Sequence, residues 1–264
     1  MQLIDTHAHL DTFAESGTLN LVLQNAKSAN LKAIICCSAW RKDWKLYERL
    51  SAENPGFISW QMGLHPTEVS EGDFEYLREM PKFINGENPP LAIGEIGLDY
   101  YKFEGTPAQF EAMQALQKKF FKAQLEIAKD AGLPVSIHAR DAVRESMDLI
   151  AEVGFDFKRV VFHCFSGNLE EVKELNSLGG RASFTGIITF KNAALMREVM
   201  LSQGLDKLML ETDCPYLAPT PFRGKGNEPS YIVYTAKKAA ELFNISEEKL
   251  GEITTKNASE FFKL

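Results

Sequence analysis

Eight short runs of apolar and β-branched residues recur along the chain, and stretches with helical spacing separate most of them. The runs are Leu3–Thr6, Ala33–Cys37, Phe57–Met62, Leu91–Glu95, Pro134–His138, Val160–His163, Arg181–Thr185 and Leu208–Leu210. This alternation indicates βα units around a parallel sheet, which is an α/β fold. Eight strands in 264 residues favour a closed (β/α)8 TIM barrel over an open sheet. No repeat or linker interrupts the pattern, so we predict that residues 1–264 form a single domain.

Helix signals are clearest in the second half of the chain. A helix is predicted to begin at Thr106, where the order Thr-Pro-Ala-Gln provides an N-cap, a proline in the first turn and a glutamine three residues after the cap. It is predicted to end at Gly132. The Pro- and Gly-rich segment Ala218–Ser230 indicates a loop after the eighth strand. Two closing helices are predicted beyond it, over Tyr231–Phe243 and Ser246–Phe262.

Composition limits the classes of function. The chain has 29 Lys and Arg against 36 Asp and Glu, a formal net charge of −7, which disfavours nonspecific nucleic-acid binding. No run approaches the roughly 18 apolar residues of a membrane span, and the first residues lack the pattern of a signal peptide. The four cysteines are predicted to be free thiols. We therefore expect a cytoplasmic monomer that makes no membrane contact.

Side chains that can bind metal fall at the ends of the predicted strands. Four of the five histidines and two carboxylates share an inward position there: His7, His9, Glu95, His138, His163 and Asp213. The carboxyl ends of parallel barrel strands meet at one mouth, where barrel enzymes keep their active sites. Burial of these groups without a partner would be costly, so we predict that they hold divalent cations. A metal-free hydrogen-bonded network is the alternative.

The number of ligands favours two cations. Six protein ligands are more than one ion with an open coordination position needs, so two ions about 3.5–4 Å apart are predicted. Imidazole and carboxylate suit Zn, Mn or Mg. We expect Mg or Mn to support activity, whereas Zn is the ion that the purified protein could carry.

Eight motifs occur in order along the chain. They are Asp5–Leu10, Gly63–Pro66, Gly94–Tyr100, His138–Arg140, His163–Gly167, Ser183–Gly186, Glu211–Leu217 and Pro221–Pro229. With these motifs the chain resembles the TatD family of metal-dependent hydrolases, a branch of the amidohydrolase-like barrels. The resemblance implies a distorted TIM barrel with a binuclear site. It assigns one ion to His7, His9, Glu95 and Asp213, and the other to Glu95, His138 and His163, so that Glu95 bridges both.

The resemblance also implies an activity. The family is similar to Mg-dependent deoxyribonucleases, several of which act as exonucleases on DNA ends. Hydrolysis of DNA phosphodiesters is therefore the leading hypothesis. A metal-dependent ester or amide hydrolase, such as an aminoacyl-tRNA deacylase at the same site, is the alternative, and a metal-stabilised interaction module is a third possibility.

Roles follow for the groups around the cations. Glu95 and Asp213 are the predicted catalytic residues; Asp213 binds an ion and can also accept a proton from the attacking water. Asp5 and Glu211 share the inward parity of the ligands, and we expect them either to orient ligands or to belong to a simple buried network.

Substrate contacts are predicted at two places. His65, followed by proline, can donate to a substrate phosphate or cap its own loop, and the family motif favours substrate binding. Arg223, Lys225 and Asn227 lie on the loop after the last strand, where a guanidinium can bind phosphate in a bidentate way. Because the positive field would be local while the whole chain is acidic, we expect short or end-directed contacts with DNA.

Overall fold

Eight parallel strands follow one another in chain order around a nearly closed barrel in the computed structural model, which describes residues 1–264. The strands are β1 (Leu3–Ala8), β2 (Leu31–Cys37), β3 (Ile58–Met62), β4 (Ala92–Asp99), β5 (Val135–Arg140), β6 (Val160–Phe162), β7 (Arg181–Phe184) and β8 (Met209–Leu210). Every neighbouring pair from β1–β2 to β7–β8 is parallel. The predicted TIM barrel, a single α/β domain, is confirmed.

The barrel closes between its first and last strands through backbone and side-chain hydrogen bonds. The Thr6 hydroxyl donates to the carbonyl of Leu210 at 3.1 Å. Just beyond β8, the Asp213 N–H donates to the carbonyl of His7 at 3.0 Å. This closure places Asp213 directly beside the end of β1, although more than 200 residues separate the two in sequence.

Helices surround the strands. Their bounds are α1 (Asp11–Glu15), α2 (Leu19–Ser28), α3 (Trp44–Glu53), α4 (Phe74–Leu77), α5 (Met80–Ile84), α6 (Pro107–Ala131), α7 (Val143–Val153), α8 (Leu169–Leu178), α9 (Ala194–Gln203), α10 (Ile232–Phe243) and α11 (Glu247–Phe262). The two predicted closing helices match α10 and α11 to within one residue. None of the helices is both long enough and apolar enough to cross a membrane.

The longest helix, α6, has the predicted ends, and two of its side chains also bind backbone groups of the barrel. Thr106 caps it by accepting from the Gln109 N–H at 3.3 Å, and Gly132 ends it with φ of 68°. Two buried glutamines on its inner face bond to backbone at the upper edge of the barrel. Gln117 bonds to both backbone groups of Asp99, and Gln124 to both of Leu64. These amides satisfy backbone groups at the end of β4 and just after β3.

The core lies mainly between strands and helices, and it contains the fully buried Trp44, Tyr47 and Trp60. A smaller apolar cluster joins the C-terminal helix to residues of five strands: Ile4, Ala33, Ile35, Ala92, Val161, Met209, Ala258, Phe261 and Phe262. Three of these residues lie on α11 and pack against the strands. Apolar side chains therefore fill the end of the barrel that α11 covers, and the polar residues lie at the opposite end, where the strands finish.

Strands β4 and β5 approach each other unusually closely at Gly97. This residue pairs with His138 and has φ of 142°, and a Cβ built on it would lie 2.0 Å from the His138 carbonyl oxygen. Only glycine tolerates both this conformation and this contact. The close approach sets the height of His138 relative to Glu95 on the neighbouring strand.

Candidate metal centre

One group of candidate ligand atoms gathers where side chains from the end of β1, from β4 and from the segment after β8 meet at the mouth of the barrel. His7 Nε2 and His9 Nε2 are 3.3 Å apart, and they lie 3.2 and 3.6 Å from Glu95 Oε2. Asp213 Oδ1 is 3.8 Å from His7 Nε2 and 3.4 Å from His9 Nε2. Ligands about 2.0–2.2 Å from one tetrahedral cation are separated by roughly 3.3–3.6 Å. The atoms of His7, His9 and Glu95 therefore fit a single divalent ion, and the Asp213 carboxylate lies beside them.

A second group faces the other oxygen of the same glutamate. Glu95 Oε1 lies 2.8 Å from His138 Nδ1 and 2.6 Å from His163 Nε2, and these two nitrogens are 3.3 Å apart. His65 Nε2 is 3.4 Å from the same oxygen. The two oxygens of the buried Glu95 carboxylate thus face two different sets of imidazoles.

The charges of this cluster depend on its neighbours. Burial alone would raise the pKa of Glu95, but the surrounding imidazoles, His163 foremost, hold it well below its ordinary value. Burial opposes protonation of His9, yet the carboxylates of Asp213 and Glu95 raise its pKa to about 9. The pKa of His163 is raised well above its ordinary value by Glu95 and Glu211, against the effect of burial. Protons on these imidazoles balance the negative charge of the buried carboxylates. A divalent cation can replace the protons and balance the same charge.

Two carboxylates lie beside His138 and His163, on the side of each ring that faces away from Glu95. Asp99 Oδ2 lies 2.8 Å from His138 Nε2, on the ring side opposite Glu95. Glu211 Oε1 is 3.4 Å from His163 Nδ1 and accepts from the Cys164 N–H at 2.6 Å. The Asp99 carboxylate fixes the orientation of the His138 ring and raises the basicity of its other nitrogen. Glu211 is within ion-pair distance of His163 Nδ1, which forms no hydrogen bond. Glu211 thus lies beside the candidate ligand His163, and Asp99 is a residue of the site that strand periodicity did not predict.

Asp5 orients backbone, and its carboxylate is bonded to no imidazole ring. It accepts from the hydroxyl and N–H of Thr212 at 2.6 and 2.9 Å, and from the His7 N–H at 3.4 Å. Burial raises the pKa of Asp5 to about 8, against the effect of these donors. The bonds join the segment that carries His7 to the segment that carries Asp213.

Two residues at the centre have a left-handed backbone. Asp213 has φ of 53° and Cys164, next to His163, has φ of 41°. Such conformations are uncommon outside glycine, and they concentrate at functional sites where surrounding bonds enforce them. Here the Asp213 N–H is bonded to His7 and the Cys164 N–H to Glu211.

His65 has the capping role that was one of its two predicted roles, and it lines the cavity. Its Nδ1 accepts from the Thr67 N–H at 3.2 Å and lies 2.7 Å from the Thr67 hydroxyl, so the ring caps its own turn. Because Nδ1 accepts, Nε2 carries the proton and points to Glu95. Burial lowers the pKa of His65, which favours this neutral form.

A cavity of about 710 Å³ opens above the ligands. It is lined by His9, Asp11, Thr12, Ala39, Trp40, His65, Thr67, Glu68, Glu95, Asp99, His138, Ala139, Arg140, His163, Cys164, Ser166, Ile187, Asp213, Tyr216 and Leu217. Two aromatic residues of this lining are unusually exposed, Trp40 at 45% and Tyr216 at 62%. The volume suits a small molecule or the end of a polymer.

The predicted substrate loop lies outside this lining. Arg223 and Lys225 are exposed, and the Arg223 guanidinium stacks over Phe190 at 4.3 Å. Asn227 is buried: its amide donates to the carbonyls of Thr212 and Tyr216 at 2.9 and 2.6 Å, and its oxygen accepts from Glu228. This placement corrects the expectation for Asn227, because its polar atoms are used to hold the loop.

Comparisons with known proteins agree with this arrangement. The family model described as TatD related DNase matches residues 4–263. The chain is 35% identical to the uncharacterized metal-dependent hydrolase YabD of Bacillus subtilis, over 99% of each chain. It is 31% identical to the uncharacterized metal-dependent hydrolase YcfH of Escherichia coli K12, over 100% of this chain and 97% of the relative.

A solved structure has the same fold. The crystal structure of YJJV, a TatD homologue from Escherichia coli K12, superposes with a TM-score of 0.86 and 28% identity, covering 99% of this chain and 98% of that one. The imidazole and carboxylate cluster lies at the mouth where such barrels bind their ligands. The chain belongs to the TatD family and is a metal-dependent hydrolase of that family.

Proposed function

We propose that this protein hydrolyses phosphodiester bonds of DNA with two divalent cations that share Glu95 as a bridging ligand. The observation that carries the proposal is that the two oxygens of the Glu95 carboxylate face different pairs of histidines. Its Oε2 faces His7 and His9, while Oε1 faces His138 and His163. A carboxylate between two separate groups of nitrogen ligands is suited to bridge a pair of ions.

The chain's own residues complete the chemistry. When bound, the cations would lower the pKa of a water and stabilise charge on the phosphate. Asp213 lies at the cavity wall with its carboxylate ionised, since the histidines, with His9 foremost, hold its pKa below the ordinary value despite burial. It is placed to accept a proton from the attacking water. His65 contributes a neutral N–H donor near Oε1 of Glu95, whereas the group that contains Asp213 lies near Oε2.

The cavity and the charge support action on DNA ends. A cavity of about 710 Å³ is of the size that holds a small ligand such as a nucleotide or two. The net charge of −7 disfavours an extended grip on a polyanion. We therefore propose an exonuclease that acts as a monomer through short contacts with a DNA terminus.

The proposal is tested with metal-stripped protein reloaded with Mg, Mn or Zn. Linear single-stranded and duplex DNA are compared with a covalently closed circle, and nucleotide release is followed. We expect release from linear DNA, none from the circle, and loss of activity with a chelator. Glu95→Gln should reduce activity by at least about 10²–10³-fold, whereas Glu126→Gln, at an exposed position on α6 without an ion pair, should not.

Activity on a carboxylic ester or an aminoacyl-tRNA, with none on any DNA, would instead establish the alternative substrate class at the same centre. Hydrolysis of the closed circle at the same rate as the linear form would contradict the exonuclease assignment. Unchanged activity of Glu95→Gln would contradict the bridged centre.

A further inference from the structure

Arg140 is the one lysine or arginine among the residues that line the cavity. It is the last residue of β5, two positions after His138. Side chains two apart on a strand leave the same face and are separated by about 6.6 Å. Arg140 is therefore placed on the cavity side, one step nearer to solvent than the centre.

The guanidinium has no partner of opposite charge. Five carboxylates line the same cavity, yet none has an oxygen within 4.0 Å of Arg140. No other hydrogen bond uses its N–H groups within the chain. An arginine that remains unpaired among carboxylates keeps its donors available for an anionic ligand.

The side chain is nevertheless held in place. Its guanidinium carbon lies 3.7 Å from the centre of the Tyr101 ring, a stacking contact that leaves the edge of the fork free. The backbone of Tyr101 is held in turn, because its N–H donates to Asp99 Oδ1 at 3.0 Å. The other oxygen of Asp99 bonds to His138. One carboxylate therefore bonds both to the His138 imidazole and to the backbone that carries the Tyr101 ring.

We propose that Arg140 binds the phosphate next to the scissile one, so that the enzyme recognises two successive phosphates of a nucleic-acid terminus. This inference rests on the proposed phosphodiesterase function. The scissile phosphate would lie at the cations, and Arg140 leaves β5 about 6.6 Å further along the strand than His138, at the wall of the same cavity. Arg223, stacked on Phe190 outside the cavity lining, is not placed to make this contact.

Binding of small phosphates tests the proposal without any turnover. Thymidine 3′,5′-bisphosphate is titrated into the metal-loaded protein by calorimetry, with the 3′- and 5′-monophosphates as references. The wild type should bind the bisphosphate more tightly than either monophosphate. Arg140→Gln should weaken bisphosphate binding about tenfold or more, as expected for a charged hydrogen bond, and leave monophosphate binding nearly unchanged.

Matched variants separate recognition from folding. Arg78→Gln removes an exposed arginine that forms no ion pair, and it should bind all three ligands as the wild type does. Arg140→Lys should lose part of the preference, because an ammonium lacks the bidentate fork. Tyr101→Phe should keep the preference and Tyr101→Leu should weaken it. All variants should retain the melting temperature of the wild type to within a few degrees.

Two outcomes would overturn the proposal. One is a wild type that binds mono- and bisphosphate equally. The other is an Arg140→Gln variant that loses affinity for both, which would place Arg140 at the scissile phosphate or in the fold. Cleavage of thymidine dinucleotides with and without an extra terminal phosphate provides the link to function. If no dinucleotide is cleaved but the bisphosphate preference depends on Arg140, the phosphodiesterase proposal fails and the two-phosphate site stands.

Discussion

A single carboxylate, Asp99, sets the orientation of the His138 ring. Asp99 bonds to His138 Nε2 at 2.8 Å, which leaves Nδ1 facing Glu95. The interaction makes Asp99 ionised, since His138 keeps its pKa below the ordinary value against the effect of burial. A neutral substitute would preserve the size of the side chain and remove most of this influence on the ring.

Asp99→Asn should therefore lower metal affinity or activity by about 10–100-fold, the usual consequence of losing a partner behind a metal-bound histidine. Metal affinity is measured by competition with a fluorescent chelator. Asp130→Asn, at the exposed end of α6, is the control and should behave as the wild type. Equal affinity of Asp99→Asn and wild type would show that His138 needs no such support.

Protons and cations should compete for the same residues. At pH 7 the metal-free protein holds protons on His9, whose pKa is about 9, and on His163, whose pKa is raised well above the ordinary value. Metal binding requires neutral imidazoles, so apparent affinity should rise with pH, by about tenfold per unit for each proton released. Calorimetry in buffers of different ionisation enthalpy counts the protons. Affinity independent of pH between 6 and 8, without proton release, would contradict these charge states.

At the scale of elements, the contact between β4 and β5 sets the geometry of the centre. A Cβ at Gly97 would lie 2.0 Å from the His138 carbonyl oxygen, in a backbone region with φ of 142°. The contacted atom belongs to the backbone of β5, which cannot move aside as the end of a flexible side chain can. The strands would have to separate where they carry Glu95 and His138.

Gly97→Ala should lower the free energy of unfolding by about 2–4 kcal/mol, because strain and a close contact add. Gly132→Ala is the matched control: it also has positive φ, at 68°, but its Cβ meets nothing within 4 Å. It should cost about 1–2 kcal/mol. Chemical denaturation measures both, and a Gly97→Ala variant no less stable than Gly132→Ala would contradict the close approach.

The sequence could predict the elements and the ligands but not the contacts between distant loops. Strand periodicity and parity identified His138 and Glu95, because both properties are local. The role of Asp99 depends on β4 extending to Asp99, four residues beyond its predicted end, and on pairing with β5. Arg140 stood in a recognised motif, yet only the fold shows that its guanidinium is unpaired and that Asn227 is buried.

At the scale of the whole molecule, an acidic protein is proposed to act on a polyanion. The net charge is −7, and one arginine lines the cavity. Positive potential would therefore be confined to the cations and their surroundings. This distribution predicts contact with few phosphates.

Binding of a single-stranded end should consequently show a shallow salt dependence. Contact with two phosphates corresponds to a slope of about −1.4 in a plot of log affinity against log salt concentration. Fluorescence anisotropy with a labelled oligonucleotide and the metal-loaded wild type, at a temperature low enough to suppress turnover, provides the slope. A slope steeper than about −5 would indicate an extended surface for nucleic acid that the charge distribution does not provide.

The most direct test of the bridged centre is the anomalous scattering of crystals grown with excess Mn. We predict two peaks about 3.5–4 Å apart, one beside His7, His9 and Asp213 and the other beside His138 and His163, with one oxygen of Glu95 toward each. Crystals of Glu95→Gln should lose at least one peak. A single peak, or none, in the wild type at saturating Mn would contradict the account.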